Sequence, residues 1–147
     1  LQEWLDDAEI ESNDHKLSIR CDIDSAPVKA NWDWLLVERA FDNILRNAIR
    51  FSPEGAELVV RCHERNGVVA LSVRDFGPGV PEEELSRIFD AFAQVDSARD
   101  HASGGYGIGL ALVSRITELH NGKVVAQNQS PGLQVTLSMP VSDKKSS

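Results

Sequence analysis

The stretch VERAFDNILRNAIRF, residues 37–51, carries two patterns at once. Val37, Ala40, Phe41, Ile44, Leu45 and Ala48 fall at i, i+3, i+4, i+7, i+8 and i+11, which makes one apolar helix face. At about 100° per residue, Asn43, Asn47 and Arg50 lie within about 60° of one another, flanking that face. They stand at the border between core and solvent, where a ligand cleft would lie. Asn31 or Asp33 supplies a cap before this helix, and Ser52-Pro-Glu-Gly55 ends it, so the expected span is about 33–51. Taken alone, two amides and an arginine read more simply as a solvated helix flank.

The neighbouring segments alternate. LQEWLDDAEIE, 1–11, reads as a short acidic helix, and LSIRCDI, 17–23, as a half-exposed strand. Two strands, about 57–64 and 68–75, are joined by Arg65-Asn66-Gly67, an Asn-Gly hairpin signal. Pro81-Glu-Glu-Glu84 predicts a first helical turn with Pro at N1 and acids facing the dipole. Residues 93–105 carry little apolar pattern and read as a mobile loop. A helix over about 106–120, ended by Asn121-Gly122, precedes strands at about 123–128 and 133–139 and a polar tail, 142–147. Strands are often consecutive in this order, so an α+β two-layer sandwich fits better than a doubly wound parallel sheet.

Composition narrows the function. The chain's 147 residues suit one domain with a real core, and a net charge of -8 argues against nucleic acid as the main partner. Cys21 and Cys62 lack CxxC spacing and read as two buried thiols in a reducing compartment. No apolar run approaches the roughly 20 residues a membrane helix needs, and no signal peptide is visible. Because the chain starts at Leu1 rather than Met, it is expected to be a piece of a longer protein.

Two glycine clusters complete the candidate site. Asp75 ends a strand and is followed by Phe-Gly-Pro-Gly79. A carboxylate there can accept from an exocyclic amine such as the N6 of adenine, with Gly77 and Gly79 letting backbone come close. The same residues also fit a tight turn with an Asx-type bond. Gly104, Gly105, Gly107 and Gly109 lead into a helix, where exposed N–H groups and the dipole favour an anion. There is no Walker GK[ST], and a flexible hinge is the plainer alternative. An amide oxygen of Asn43 or Asn47 can join water and phosphate around Mg2+, Arg50 can reach a phosphate, and Phe51 can pack on a base. Together the three blocks suit a purine nucleotide with its metal ion.

With these blocks in order, the chain resembles the catalytic ATP-binding domain of bacterial sensor histidine kinases, within the superfamily that includes gyrase, the Hsp90 chaperones and MutL. Phe41-Asp-Asn-Ile-Leu-Arg-Asn-Ala-Ile-Arg-Phe-Ser52 is similar to the family's N box, and Asp75-Phe-Gly-Pro-Gly79 to its first glycine box. Ile88-Phe-Asp-Ala-Phe92 resembles the F box, and Gly105-Tyr-Gly-Ile-Gly-Leu110 the second glycine box. The resemblance implies a Bergerat-type (GHKL) two-layer α/β sandwich, its mixed, mostly antiparallel sheet covered on one face by helices. One catalytic domain would span 1–141, with 1–11 as a linker from a dimerisation domain and 93–105 as a lid over ATP.

It further implies ATP and Mg2+ as cofactors. Asn47 would ligate the metal, with Asn43 and Arg50 toward the phosphates, and Phe51, read as packing on a base, would belong to the same nucleotide site. Asp75 would take the adenine amino group next to Gly77 and Gly79. Gly105, Tyr106, Gly107, Ile108, Gly109 and Leu110 would line the phosphates, and Arg99 in the lid is a further phosphate candidate. The implied partners are a histidine-bearing dimerisation domain of the same protein and a downstream response regulator. The implied setting is a cytoplasmic domain, monomeric as a fragment, of a homodimeric inner-membrane sensor. In style, Arg46-Asn-Ala-Ile-Arg50 and Ser52-Pro-Glu-Gly55 are similar to proteobacterial envelope-stress and metal-responsive kinases.

Hydrolysing members of the superfamily place a glutamate where this chain has Asn43. An amide is no general base at neutral pH, and Glu38 and Asp42 point elsewhere on the helix wheel, so the site is expected to keep ATP intact for transfer. None of the four histidines suits the acceptor role. His15 precedes Lys16 in a loop, His63 precedes Glu64 in a strand, His101 falls in the lid, and His120 ends a helix. The acceptor is therefore expected on another domain. A serine kinase of the anti-sigma-factor type and a nucleotide-binding interaction module are the rival readings. The F box and long lid weigh against the first, and the intact Asn47, Asp75 and glycine boxes against the second. Trp4, Trp32 and Trp34 are expected in core or edge packing.

Overall fold

A computed structural model describes residues 17–23, 30–89, 109–129 and 131–141. Its elements are β1 (Ser18–Ile23), α1 (Trp34–Phe51), β2 (Glu57–Arg65), β3 (Val68–Arg74), a 3-10 turn (Glu82–Arg87), α2 (Gly109–Leu119), β4 (Lys123–Asn128) and β5 (Leu133–Pro140). The strands form one five-stranded sheet in the order β1-β2-β3-β5-β4. β1 runs parallel to β2, and the β2–β3, β3–β5 and β4–β5 pairs are antiparallel.

The sheet's pleat sorts its residues. Leu58, Val60 and Cys62 of β2, Val69, Leu71 and Val73 of β3, and Leu133, Val135, Leu137 and Met139 of β5 are all buried on one face. Against them α1 buries Val37, Ala40, Phe41, Ile44, Leu45, Ala48 and Ile49, and α2 buries Leu110, Val113 and Ile116. Each Val, Leu, Ile, Phe or Met among them contributes about 1.5–3 kcal/mol of burial, so this shared face carries most of the fold's stability. The opposite face presents Arg20, Arg61, Arg65, Ser72, Arg74, Thr136 and Lys123 in the strand register. This is the two-layer α+β sandwich expected from the sequence.

Element ends follow local chemistry. Asp33, rather than Asn31, caps α1 by accepting from the Leu36 N–H at 3.3 Å, a contact that contributes about 1 kcal/mol. The β2–β3 hairpin turns on Asn66 and Gly67, both at positive φ (54° and 78°), as a two-residue type I′ loop requires. α2 closes by a division of labour. Asn121 takes the left-handed position at φ 62°, while the N–H groups of Asn121 and Gly122 bond the carbonyls of Glu118 and Thr117. Gly122 serves a different need, since a Cβ there would collide with the Ser138 carbonyl.

Several expectations change. Cys62 is buried but Cys21 is exposed, on β1 at the edge of the sheet, and neither is in a disulfide. Pro81 occupies the cap position rather than N1, and the turn after it is 3-10. Trp32 packs on the core and donates its ring N–H to the Pro140 carbonyl at 2.7 Å. Trp34 lies 5.0 Å from it, 42% exposed. The expected helix at 1–11, the lid at 93–105, Trp4 and the tail lie outside the described residues, as do His15 and His101. Among the described residues, no helix is long and apolar enough to cross a membrane.

Candidate functional site

Helix α1 organises the site along its length. Its first ligand-type residue, Asn43, is half-buried and donates its side-chain N–H to the Gly109 carbonyl at 3.1 Å, joining α1 to the start of α2. One turn later comes half-buried Asn47, then exposed Arg50, whose guanidinium lies 5.7 Å from the half-buried Phe51 ring. At the helix end, the Phe51 carbonyl sits where a Cβ on Gly77 would fall, so only glycine lets the loop after β3 approach so closely. Asn43 and Phe51 are eight residues apart, about 12 Å along the axis. A single helix thus meets the first glycine loop at one end and the second glycine segment nearer its middle.

Asp75 sits at the base of the first loop and is 4% exposed. Its Oδ1 accepts from the N–H of Gly77 at 2.9 Å and of Leu133 at 3.2 Å, and its own N–H bonds the Leu133 carbonyl at 2.9 Å. With Oδ1 committed, Oδ2 is the oxygen left for a ligand donor. Burial pushes the Asp75 carboxyl above the usual carboxylate range, against the two backbone N–H bonds and the Arg74 charge, which pull it down. The carboxylate is therefore under-solvated, and a ligand amine would relieve that cost. Phe76, the next residue, carries the Arg74 guanidinium 4.2 Å from its ring centre.

The sequence reading missed the residues that hold this loop. Asn128, the last residue of β4, grips Val80 from 48 positions away: Oδ1 accepts the Val80 N–H at 2.8 Å, and Nδ2 donates to the Val80 carbonyl at 2.5 Å. Gly132 at φ 104° presses its backbone on Asp75, where a Cβ would overlap the Asp75 carbonyl. Neither carries a motif signal, since their work is defined only once β5 pairs with β3. His120 was read only as a helix-end residue. It accepts the Asp33 N–H at Nε2 (3.0 Å) and lies 2.8 Å from the Ile116 carbonyl at Nδ1, tying the end of α2 to the start of α1.

The described part of the predicted site is therefore Asn43, Asn47, Arg50, Phe51, Asp75, Gly77, Gly79, Gly109 and Leu110. Of these, Leu110 is buried in the core and helps anchor α2. Arg99, Gly105, Tyr106, Gly107 and Ile108 lie outside the described residues. Asp42, exposed and paired with Arg46 at 2.8 Å, faces away from the site as its place on the wheel required. Among the described residues no three His, Cys, Asp or Glu side chains converge on a metal position.

Residues 33–143 match the family described as histidine kinase-, DNA gyrase B- and HSP90-like ATPase. The chain belongs to that family. It is 37% identical over 118 residues to the probable sensor kinase SilS of Salmonella typhimurium, covering 80% of this chain and 24% of that protein. With the histidine-protein kinase BaeS of Escherichia coli (strain K12) it shares 35% over 120 residues, 80% of this chain and 25% of the relative. The chain thus spans about a quarter of the length of these curated relatives. Among solved structures, the mycobacterial sensor histidine kinase MprB superposes with a TM-score of 0.80 at 26% identity, covering 95% of this chain and 94% of that one. The catalytic domain of histidine kinase ThkA reaches 0.84 at 22% identity over 99% and 95% of the two chains, which establishes a common fold. This ATPase-family fold, with its mostly antiparallel sheet and helical layer, is the architecture inferred from the sequence.

Proposed function

We propose that this chain is the ATP-binding catalytic domain of a sensor histidine kinase, which donates the ATP γ-phosphoryl to a histidine on a separate dimerisation domain. The observation that carries the reading is Asp75: a buried carboxylate with one oxygen tied to backbone and the other left for an amine donor, beside the end of α1. Adenine would lie at that end, with N6 on Oδ2 and the base near Phe51 and Gly77. The phosphates would extend back along α1 toward Asn47, Arg50 and the start of α2.

Two details refine the roles along α1. Asn43 spends one of its two amide N–H groups on Gly109, which leaves the other for a phosphate oxygen and Oδ1 for a metal-bound water. Asn47 offers the amide oxygen for Mg2+, and Arg50 a cation for phosphate. When bound, Mg2+ would neutralise phosphate charge and fix the conformation of the triphosphate. No residue here is placed as a general base. In the transfer, an imidazole nitrogen of the partner domain bonds to the γ-phosphorus as the bond to the β,γ-bridging oxygen breaks, and ADP departs. The chain's own part is to bind, orient and keep hydrolysis slow.

We assign residues 1–141 to one domain and place it on the cytoplasmic side of its parent, where ATP is supplied and cysteines outside disulfides, such as Cys21 and Cys62, stay reduced. ThkA has been solved with a response regulator protein, and a response regulator is the downstream partner we infer. Calorimetric titration tests the reading. Mg-ATP is expected to bind in the micromolar-to-millimolar range, with binding dependent on Mg2+ and lost in Asn47→Asp. Absence of nucleotide binding by the wild-type chain would refute the proposal.

A further inference from the structure

The β4–β5 hairpin end, residues 128–133, contacts the glycine loop more extensively than a mere neighbour would. Three successive anchors run from it to the segment 74–80. The Pro131 carbonyl accepts from Arg74 Nη2 at 2.9 Å. The Leu133 carbonyl accepts the Asp75 N–H, and the Leu133 N–H donates to the Asp75 carboxylate. Asn128 pairs with both backbone groups of Val80, while its Nδ2 lies 3.4 Å from the Glu82 carboxylate. The loop is therefore a bridge fixed at both feet to a single hairpin end, which is itself closed by the Gln129 N–H on the Gly132 carbonyl at 2.8 Å.

The Asn128 side chain imitates a strand neighbour. Its amide presents an acceptor and a donor on two adjacent atoms, matching the N–H and C=O of one residue, whereas an ionised carboxylate has no donor to offer. Gly79 lies directly beneath it at φ 78°, where a Cβ would come within 2.7 Å of the Asn128 Oδ1. Asn128 and Leu133 also face one another as a register pair. A displacement at Val80 is thus transmitted by a short rigid path to the N–H that holds Asp75.

We infer that Asn128 is a positioning residue for base recognition: by clamping Val80 it sets the Gly77–Val80 backbone and, through Leu133, the oxygen of Asp75 that reads the exocyclic amine. This rests on the proposed adenine site and names a specificity determinant outside its four motifs. The loop has no other bond at its Val80 end among the described residues. Releasing it leaves a buried N–H and C=O unpaired and lets the reading geometry spread.

The test compares Mg-ATP with Mg-ITP, which carries a carbonyl oxygen where adenine carries the amine, by calorimetric titration of the 147-residue chain. The wild type is expected to prefer ATP. Asn128→Ala is expected to bind ATP roughly tenfold more weakly with ITP far less changed, so the preference shrinks. Asn128→Asp keeps the acceptor for the Val80 N–H and is expected to fall between; it also decides the matter if the alanine variant does not fold. A variant that keeps the wild-type preference, or loses both nucleotides in equal proportion, overturns the inference while leaving the adenine site intact. A wild type with no preference for ATP would instead refute the adenine site itself.

Discussion

With Oδ1 of Asp75 tied to the N–H groups of Gly77 and Leu133, asparagine at this position would keep the acceptor and present an amide N–H where Oδ2 now stands. A donor would then face the adenine amine. Asp75→Asn is expected to weaken Mg-ATP binding by about 10- to 100-fold in calorimetry, because a favourable pairing becomes a donor–donor clash. The fold should not suffer in parallel. The folded-state pKa of Asp75 is raised, chiefly by burial, so the native state holds this proton more tightly than the unfolded chain. The contribution of the group to stability is full below the ordinary carboxylate range and is lost as pH rises through the raised value. Urea unfolding of wild type should show that decline and Asp75→Asn should lack it, leaving the variant as stable or more stable at neutral pH. Gly132→Ala makes the opposite separation. At φ 104°, with its Cβ overlapping the Asp75 carbonyl, it should cost more than about 2 kcal/mol in the same unfolding experiment.

Helix α1 holds the two functional segments in place, and its two faces should separate in mutants. Ile44 is 2% exposed in the core, so Ile44→Ala is expected to destabilise by about 2–5 kcal/mol. Asn43→Ala removes the bond to the Gly109 carbonyl, with an expected cost of only about 1 kcal/mol but faster amide hydrogen exchange in the first turn of α2. Equal protection of that turn in both proteins would show that the bond does not couple the helices. The α1 face was legible in the sequence because its apolar period is long and uninterrupted. The Asn-Gly hairpin was legible because its chemistry is local. Cys21 was misread because alternation marks a strand without saying that the strand is an edge. Asn128 and Gly132 were invisible because their partners, Val80 and Asp75, come near only through the β3–β5 pairing. Asp75 announced itself as a loop carboxylate, but its half-committed state depends on Leu133, and no local pattern reports that.

On the proposed reading, the molecule's chemistry lies at one end of a two-layer sandwich and the acceptor on another domain. His63 is half-buried on β2 and 3.6 Å from Asp22, and His120 bridges two helix ends, so neither described histidine stands at the nucleotide site. Such a chain should hydrolyse ATP slowly by itself, since Asn43 cannot act as a base. The most direct measurement is phosphotransfer in trans: the 147-residue chain, γ-labelled ATP and Mg2+ are mixed with a helical dimerisation domain bearing a histidine followed by Asp or Glu. The account predicts label on the supplied domain in an acid-labile, alkali-stable linkage, absent with Asp75→Asn. Label in an acid-stable hydroxyl ester, or rapid release of phosphate without transfer, would contradict it.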